Sequence, residues 1–138
     1  MKILLDTNVI LDTFLIREPY SKYSDLIFDL IGDNIIIGYV NTSSITDIYY
    51  ILRKKFNDTE SRERIRMILN LFKAVEVTKE DCWEALKSLI PDFEDALVSV
   101  CADKANLDFI VTRDIEFLKL PTAISPSEFL EKINQEEL

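Results

Sequence analysis

Two short runs, Ile3-Leu4-Leu5 and Phe109-Ile110-Val111, are apolar at every position, and an acid follows each: Asp6 directly, Asp114 after Thr112-Arg113. A strand with one wet face alternates apolar and polar residues, whereas a strand buried on both faces reads as a continuous apolar run. The two runs are therefore read as central strands of a parallel sheet covered by helices on both sides. Strands are predicted at Lys2–Leu5, Asn34–Val40, Ala74–Val77, Phe109–Thr112 and Thr122–Ile124, with helical patterns between them. That alternation is the signature of an α/β fold built from right-handed crossovers. The 138 residues suit one domain, 1–138, with no linker, repeat or low-complexity segment.

In open parallel sheets, ligands bind beyond the carboxyl ends of the strands, which is where Asp6 and Asp114 stand. The chain has no histidine, so most acid–base, triad and zinc schemes are excluded. Gly32 and Gly38 are the only glycines, which removes glycine-rich phosphate loops. Cys82 and Cys101 cannot build a zinc motif or a disulfide framework, and are expected as small buried residues in a reducing compartment. Lys2 precedes an apolar run, but Asp6 and Asp12 interrupt it too early for a signal peptide, and no stretch approaches a membrane span; a cytoplasmic protein without membrane contact is expected.

Sixteen basic residues against 25 acidic ones give a net charge of −9, which argues against nucleic-acid binding through a uniformly basic surface. The segment Arg53–Arg66 is locally basic. It reads either as a solvated helix face or as a source of phosphate contacts, with Arg53, Lys54, Lys55 and Arg113 the RNA-contact candidates if RNA is the substrate.

Two helices carry the remaining acids. One begins among Asn41, Thr42, Ser43 and Ser44, all N-cap types, and buries Ile45, Ile48, Tyr49, Leu52 and Phe56. The other is capped by Asp92 and buries Phe93, Ala96, Leu97, Val100 and Cys101. Asp47 and Asp95 fall in the first turns of these helices, off the stripes. The alternating pattern, with the need to bring strands one, two and four together so that Asp6, Asp47, Asp95 and Asp114 share one edge, predicts strand order 3-2-1-4-5 in a three-layer α/β/α sandwich with a five-stranded, mainly parallel sheet. Such a ring of anions repels itself unless a cation or protons intervene, and a hard ion such as Mg²⁺ or Mn²⁺ suits it. The bland alternatives are turn and helix capping by each acid, a strand-end preference for Thr112, and core or interface packing for Tyr49, Tyr50 and Trp83.

Asp6-Thr7-Asn8-Val9-Ile10-Leu11-Asp12, Asp92-Phe93-Glu94-Asp95-Ala96-Leu97, Ile110-Val111-Thr112-Arg113-Asp114 and Ser125-Pro126-Ser127-Glu128-Phe129-Leu130, taken in order, resemble a PIN-domain nuclease over essentially the whole chain. Within that family the likeness is greatest to the single-domain VapC-like ribonuclease toxins of prokaryotic toxin–antitoxin pairs. The resemblance implies a Mg²⁺- or Mn²⁺-dependent endoribonuclease, a homodimer, and inhibition by a small antitoxin. It maps the catalytic acids onto Asp6, Asp47, Asp95 and Asp114, with Asp6, Asp95 and Asp114 as metal ligands and Asn8 and Thr112 as polar accessories. The family more often carries Glu where this chain has the shorter Asp47.

Three rivals are weighed on their own residues. A haloacid dehalogenase-like phosphatase needs a second Asp two residues after the first, and Asn8 stands there. A receiver domain needs an Asp after strand three, where the chain reads Glu76-Val77-Thr78-Lys79. A catalytically silent PIN-fold binding module stays open.

Overall fold

The computed structural model describes residues 1–136 as five strands and seven α-helices in one alternating series. The strands are β1 (Lys2–Leu5), β2 (Ile37–Asn41), β3 (Lys73–Val75), β4 (Phe109–Val111) and β5 (Ala123–Ile124). The helices are α1 (Thr7–Phe14), α2 (Ser21–Gly32), α3 (Thr42–Leu52), α4 (Asp58–Leu71), α5 (Lys79–Leu86), α6 (Phe93–Lys104) and α7 (Pro126–Glu136). All pairings are parallel and the order is β3-β2-β1-β4-β5, as expected from the need to gather the acids. Among the described residues no helix is long and apolar enough to cross a membrane.

The uniform apolarity of β1 follows from its place between two layers. Ile3 and Leu5 face a large core shared with α1, α2, α3, α4 and α7, through Val9, Ile27, Ile48, Ile68 and Phe129. Leu4 faces the other way, with Ile110, onto Val98 and Ala102 of α6 and onto Phe117. Fully burying an aliphatic side chain of this size is worth about 1.5–3 kcal/mol, so both layers draw on the central strands.

Gly38 of β2 lies where the side chains of Ile31 and Phe72 press close onto the sheet. A Cβ there would lie 2.5 Å from Ile31 Cδ1 and 2.8 Å from Phe72 Cδ1. Gly38→Ala is therefore expected to overpack this core and cost about 1–3 kcal/mol, measurable as a lowered urea midpoint with an unchanged slope.

Several boundaries differ from the sequence expectation. β2 enters the sheet at Ile37 rather than Asn34, because Asn34 adopts φ 59° and the Ile35 and Ile36 amides turn back to Leu30 O. β3 is Lys73–Val75 rather than Ala74–Val77: Val77 N donates to Thr42 Oγ1, and Thr78 already opens the capping box of α5 with Asp81. β4 ends at Val111 and β5 begins at Ala123, one residue inside each predicted span. α3 begins at Thr42, so Asp47 is its sixth residue and sits in the second turn, not the first. Phe93 is exposed, because α6 buries Val98 and Ala102 beside Ala96, Leu97 and Cys101 and the stripe rotates away from it. Of the expected core or interface packing for Tyr49, Tyr50 and Trp83, the core alternative fails for Tyr50 and Trp83, which are exposed.

Candidate active site

The sheet topology carries Asp6 and Asp114 to one edge. β1 and β4 are paired, with Leu5 opposite Val111, so the residues just beyond them emerge side by side. Asp6 caps α1, accepting a bond from Thr7 N at 2.9 Å through Oδ1. Its Oδ2 accepts from Thr112 Oγ1 at 2.9 Å. The same threonine oxygen accepts from Asp114 N at 3.1 Å. Fully buried Thr112 thus ties the two acids together, a structural reason for this residue at the strand end. Asp114 Oδ1 accepts from Glu116 N at 2.9 Å, anchoring the turn that leads into the short 3-10 segment Phe117–Lys119.

Asp95 comes from the first turn of α6. Asp92 takes the capping role, accepting from Asp95 N at 2.9 Å, which leaves the Asp95 carboxylate outside the cap. Asp47 approaches from α3. These acids line one pocket of about 440 Å³, together with Thr7, Asn8, Tyr50, Ile51, Lys54, Asp92 and Glu94. The pocket therefore gathers all four expected acids and Asn8. Sequence reasoning missed Glu94, whose signal was its place beside Asp95 at a helix start.

Of the basic candidates, Lys54 lines the pocket and Arg113 does not. Arg113 instead grips Asp12, Nε to Oδ2 at 2.7 Å and Nη2 to Oδ1 at 2.9 Å, while its guanidinium lies 3.8 Å from the Tyr20 ring centroid. Asp12 is fully buried, so Arg113 is engaged inside the fold and not presented to a substrate. Arg53 lies near the Tyr49–Asp58 pair, and the Lys55 ammonium sits 5.5 Å from the Phe56 ring centroid. Asn8 Oδ1 accepts from Arg17 Nη1 at 3.3 Å.

The electrostatics follow from six carboxylates facing one ammonium across this pocket. Burial, then the charges of Asp92, Asp114, Asp6 and Glu94, push the Asp95 carboxyl up to about 7. Burial also raises Asp6, partly offset by the bonds from Thr112 and Thr7, and raises Glu94, to which Asp6, Asp47 and Asp92 add. Among the described residues no three acids already stand together at ligand spacing, as expected of anions that repel one another. The donor set nevertheless fits a hard divalent cation: every lining carboxylate offers oxygen, six acids face a single ammonium, and the buried Thr7 Oγ1 beside them has no partner.

A pH dependence follows from Asp95. Below about pH 4 the group is protonated in both folded and unfolded states. Between about 4 and about 7 the unfolded chain releases the proton and the folded chain keeps it, so stability falls as pH rises. Metal-free protein is thus expected to be more stable near pH 5 than near pH 8, by about 1–2 kcal/mol once solvent screening of this half-buried group is allowed for. Asp95→Asn should remove this share of the slope. Urea titrations at the two pH values in excess chelator measure it.

The sequence model of the PIN-domain family, described as "PIN domain", matches residues 2–116. Ribonuclease VapC1 of Aquifex aeolicus is 26% identical over 139 aligned positions, covering 96% of this chain and 96% of that protein. Among solved structures, Mycobacterium tuberculosis VapC20, titled a sarcin-ricin loop cleaving toxin, superposes with a TM-score of 0.70 at 12% identity over 87% of this chain and 95% of that one. A toxin–antitoxin complex from Klebsiella pneumoniae superposes with a TM-score of 0.69 at 17% identity over 90% of this chain and 97% of that one.

Proposed function

The chain belongs to the PIN-domain family, and from that premise we propose that it is a metal-dependent endoribonuclease, the toxin of a toxin–antitoxin pair. The observation that carries this reading is the single pocket into which Asp6, Asp47, Asp95 and Asp114 converge from three elements and a strand end. Asp6, Asp95 and Asp114, with Asp47, are the residues that would hold Mg²⁺ or Mn²⁺. When bound, such an ion supplies charge neutralisation at a scissile phosphate and lowers the pKa of bound water.

The protein's own part is placement. Thr112 fixes the Asp6 carboxylate and the Asp114 backbone relative to each other through one oxygen. Asp92 satisfies the open amide at the α6 start, which frees Asp95 for the pocket. Among the described residues that line the pocket there is no histidine or other neutral base to activate the Thr7 or Tyr50 hydroxyl, so on this reading attack on the phosphodiester is assigned to water. The phosphatase alternative lacks its general acid, since Asn8 stands in that position and its amide oxygen accepts from Arg17.

Partner binding has support in the surface. α4 exposes Met67 on one side and Leu69 on the other, each facing an apolar hollow of about 390 or 420 Å³. Faces of this kind suit an amphipathic helix of an antitoxin or a second copy of the chain. The ribonuclease reading is tested by incubating the purified protein with mixed cellular RNA and Mn²⁺. Cleavage that stops in excess chelator supports it, and RNA left intact under all divalent-ion conditions sinks it. The toxin reading is tested separately in cells. Expression of the intact protein should arrest growth, and co-expression of a cognate antitoxin should relieve the arrest.

A further inference from the structure

Tyr50 stands on the rim of the acidic pocket with 66% of its surface exposed. Its position follows from spacing. Asp47, Tyr50, Ile51 and Lys54 fall at i, i+3, i+4 and i+7 along α3 and the turn that continues it, so one stripe carries a carboxylate, a ring and an ammonium along the same wall. The ring is braced. It packs edge to face on Tyr49, with centroids 5.4 Å apart and planes at 70°. The Tyr49 hydroxyl in turn bonds to Asp58, which Arg62 Nε holds at 2.9 Å. Core packing does not explain an exposed ring held at a set tilt beside a cleft, because burial is what it lacks, and the residue also borders the hollow of about 420 Å³ beside Leu69.

Charge indicates what such a ring is for. Lys54 is the only basic side chain among the described residues lining the pocket, against six carboxylates, so one phosphate can be anchored but a polyanion is not drawn in by charge alone. Stacking on an aromatic ring works with any base and does not depend on net charge. It does require a base whose face is free, which a paired base inside a duplex does not offer. We propose that Tyr50 stacks an unpaired base beside the scissile linkage while Lys54, one turn further along the same stripe, binds that nucleotide's phosphate. This rests on the ribonuclease reading above.

The test measures binding in an Asp6→Asn background, so that the probe survives, using a fluorescein-labelled single-stranded RNA of about twelve nucleotides in Mn²⁺. Adding Tyr50→Ala should raise Kd about ten-fold, while Tyr50→Phe, which keeps the ring, should stay within about two-fold. Lys54→Gln should reduce the salt slope by about one. Annealing the complement should weaken binding. An unchanged Kd for Tyr50→Ala, or a preference for the duplex, overturns the proposal. Wild-type cleavage of RNA is scored apart: its absence defeats the ribonuclease reading, whereas the Kd series still decides whether Tyr50 stacks bases.

Discussion

Asp6→Asn is expected to lower RNA cleavage by about 10²–10³-fold or more, the scale seen when one preorganised electrostatic group is removed from an active site. Asp6 occupies the centre of the site by connectivity as well as by geometry. It ends the middle strand of the sheet, caps α1, and shares Thr112 with Asp114. Asn keeps the volume and the acceptor for Thr7 N, and the Thr112 hydroxyl can rotate to accept from the new amide. The fold should therefore survive. Because burial and Asp114 already push the Asp6 carboxyl above its ordinary range, removing the charge relieves repulsion in the metal-free protein. The expected pair of results is loss of cleavage in Mn²⁺ with an unchanged circular dichroism spectrum and equal or slightly higher metal-free stability. Asp95→Asn should behave alike. Cleavage retained in both variants would remove the carboxylate site from the mechanism.

Arg113→Ala is expected to cost about 3–5 kcal/mol, the usual penalty for leaving a buried charge without its partner. Asp12 is fully buried on α1, and its two oxygens meet Arg113 in a bidentate pair. The remaining cation, Arg17, stands 3.6 Å away and also bonds Asn8, so it cannot replace the fork. A loss of this size lowers Tm by on the order of 10 °C. Arg113→Lys restores charge without the two parallel bonds and should fall between. The double change Asp12→Leu with Arg113→Met removes both charges and should recover much of the loss, which separates an uncompensated charge from lost packing. Because Arg113 lies between Thr112 and Asp114, the pair also clamps the β4 exit onto α1. Partial activity loss in Arg113→Lys at a temperature where it remains folded is expected from that clamp. Equal stability of Arg113→Ala and the parent would contradict it.

These two residues show where local sequence carries information and where it stops. Asp6 was legible because its strand is buried on both faces. Burial removes alternation and leaves an apolar run whose abrupt end marks the sheet edge. The same signal found Asp114. Asp95 was legible because Asp92, three residues earlier, supplies the cap that a helix start demands. Asp47 lines the same pocket, but from the second turn of its helix and not the first. Asn41, Thr42, Ser43 and Ser44 are all cap-forming types, and the helix starts at Thr42 with no side-chain bond from Asn41 to single out the first.

The sequence by itself determined the alternation of elements and the acids at the strand ends, since each depends on residues within a few positions of one another, whereas the order β3-β2-β1-β4-β5 joins segments more than 100 positions apart and followed only from requiring the acids to meet. Tertiary structure alone decided the fate of the basic and aromatic residues. Arg113 meets Asp12 across 101 positions of chain, a pairing set by how β4 lies beside α1 and by no local periodicity. Tyr50 stands outside the apolar stripe of α3 and reads as core or interface alike; the packing of that helix turns Ile48 and Leu52 inward and leaves Tyr50 on the rim. Glu94 enters the pocket for the same reason: a helix start fixes where the chain turns, but only packing fixes which first-turn side chains face the neighbouring strand ends.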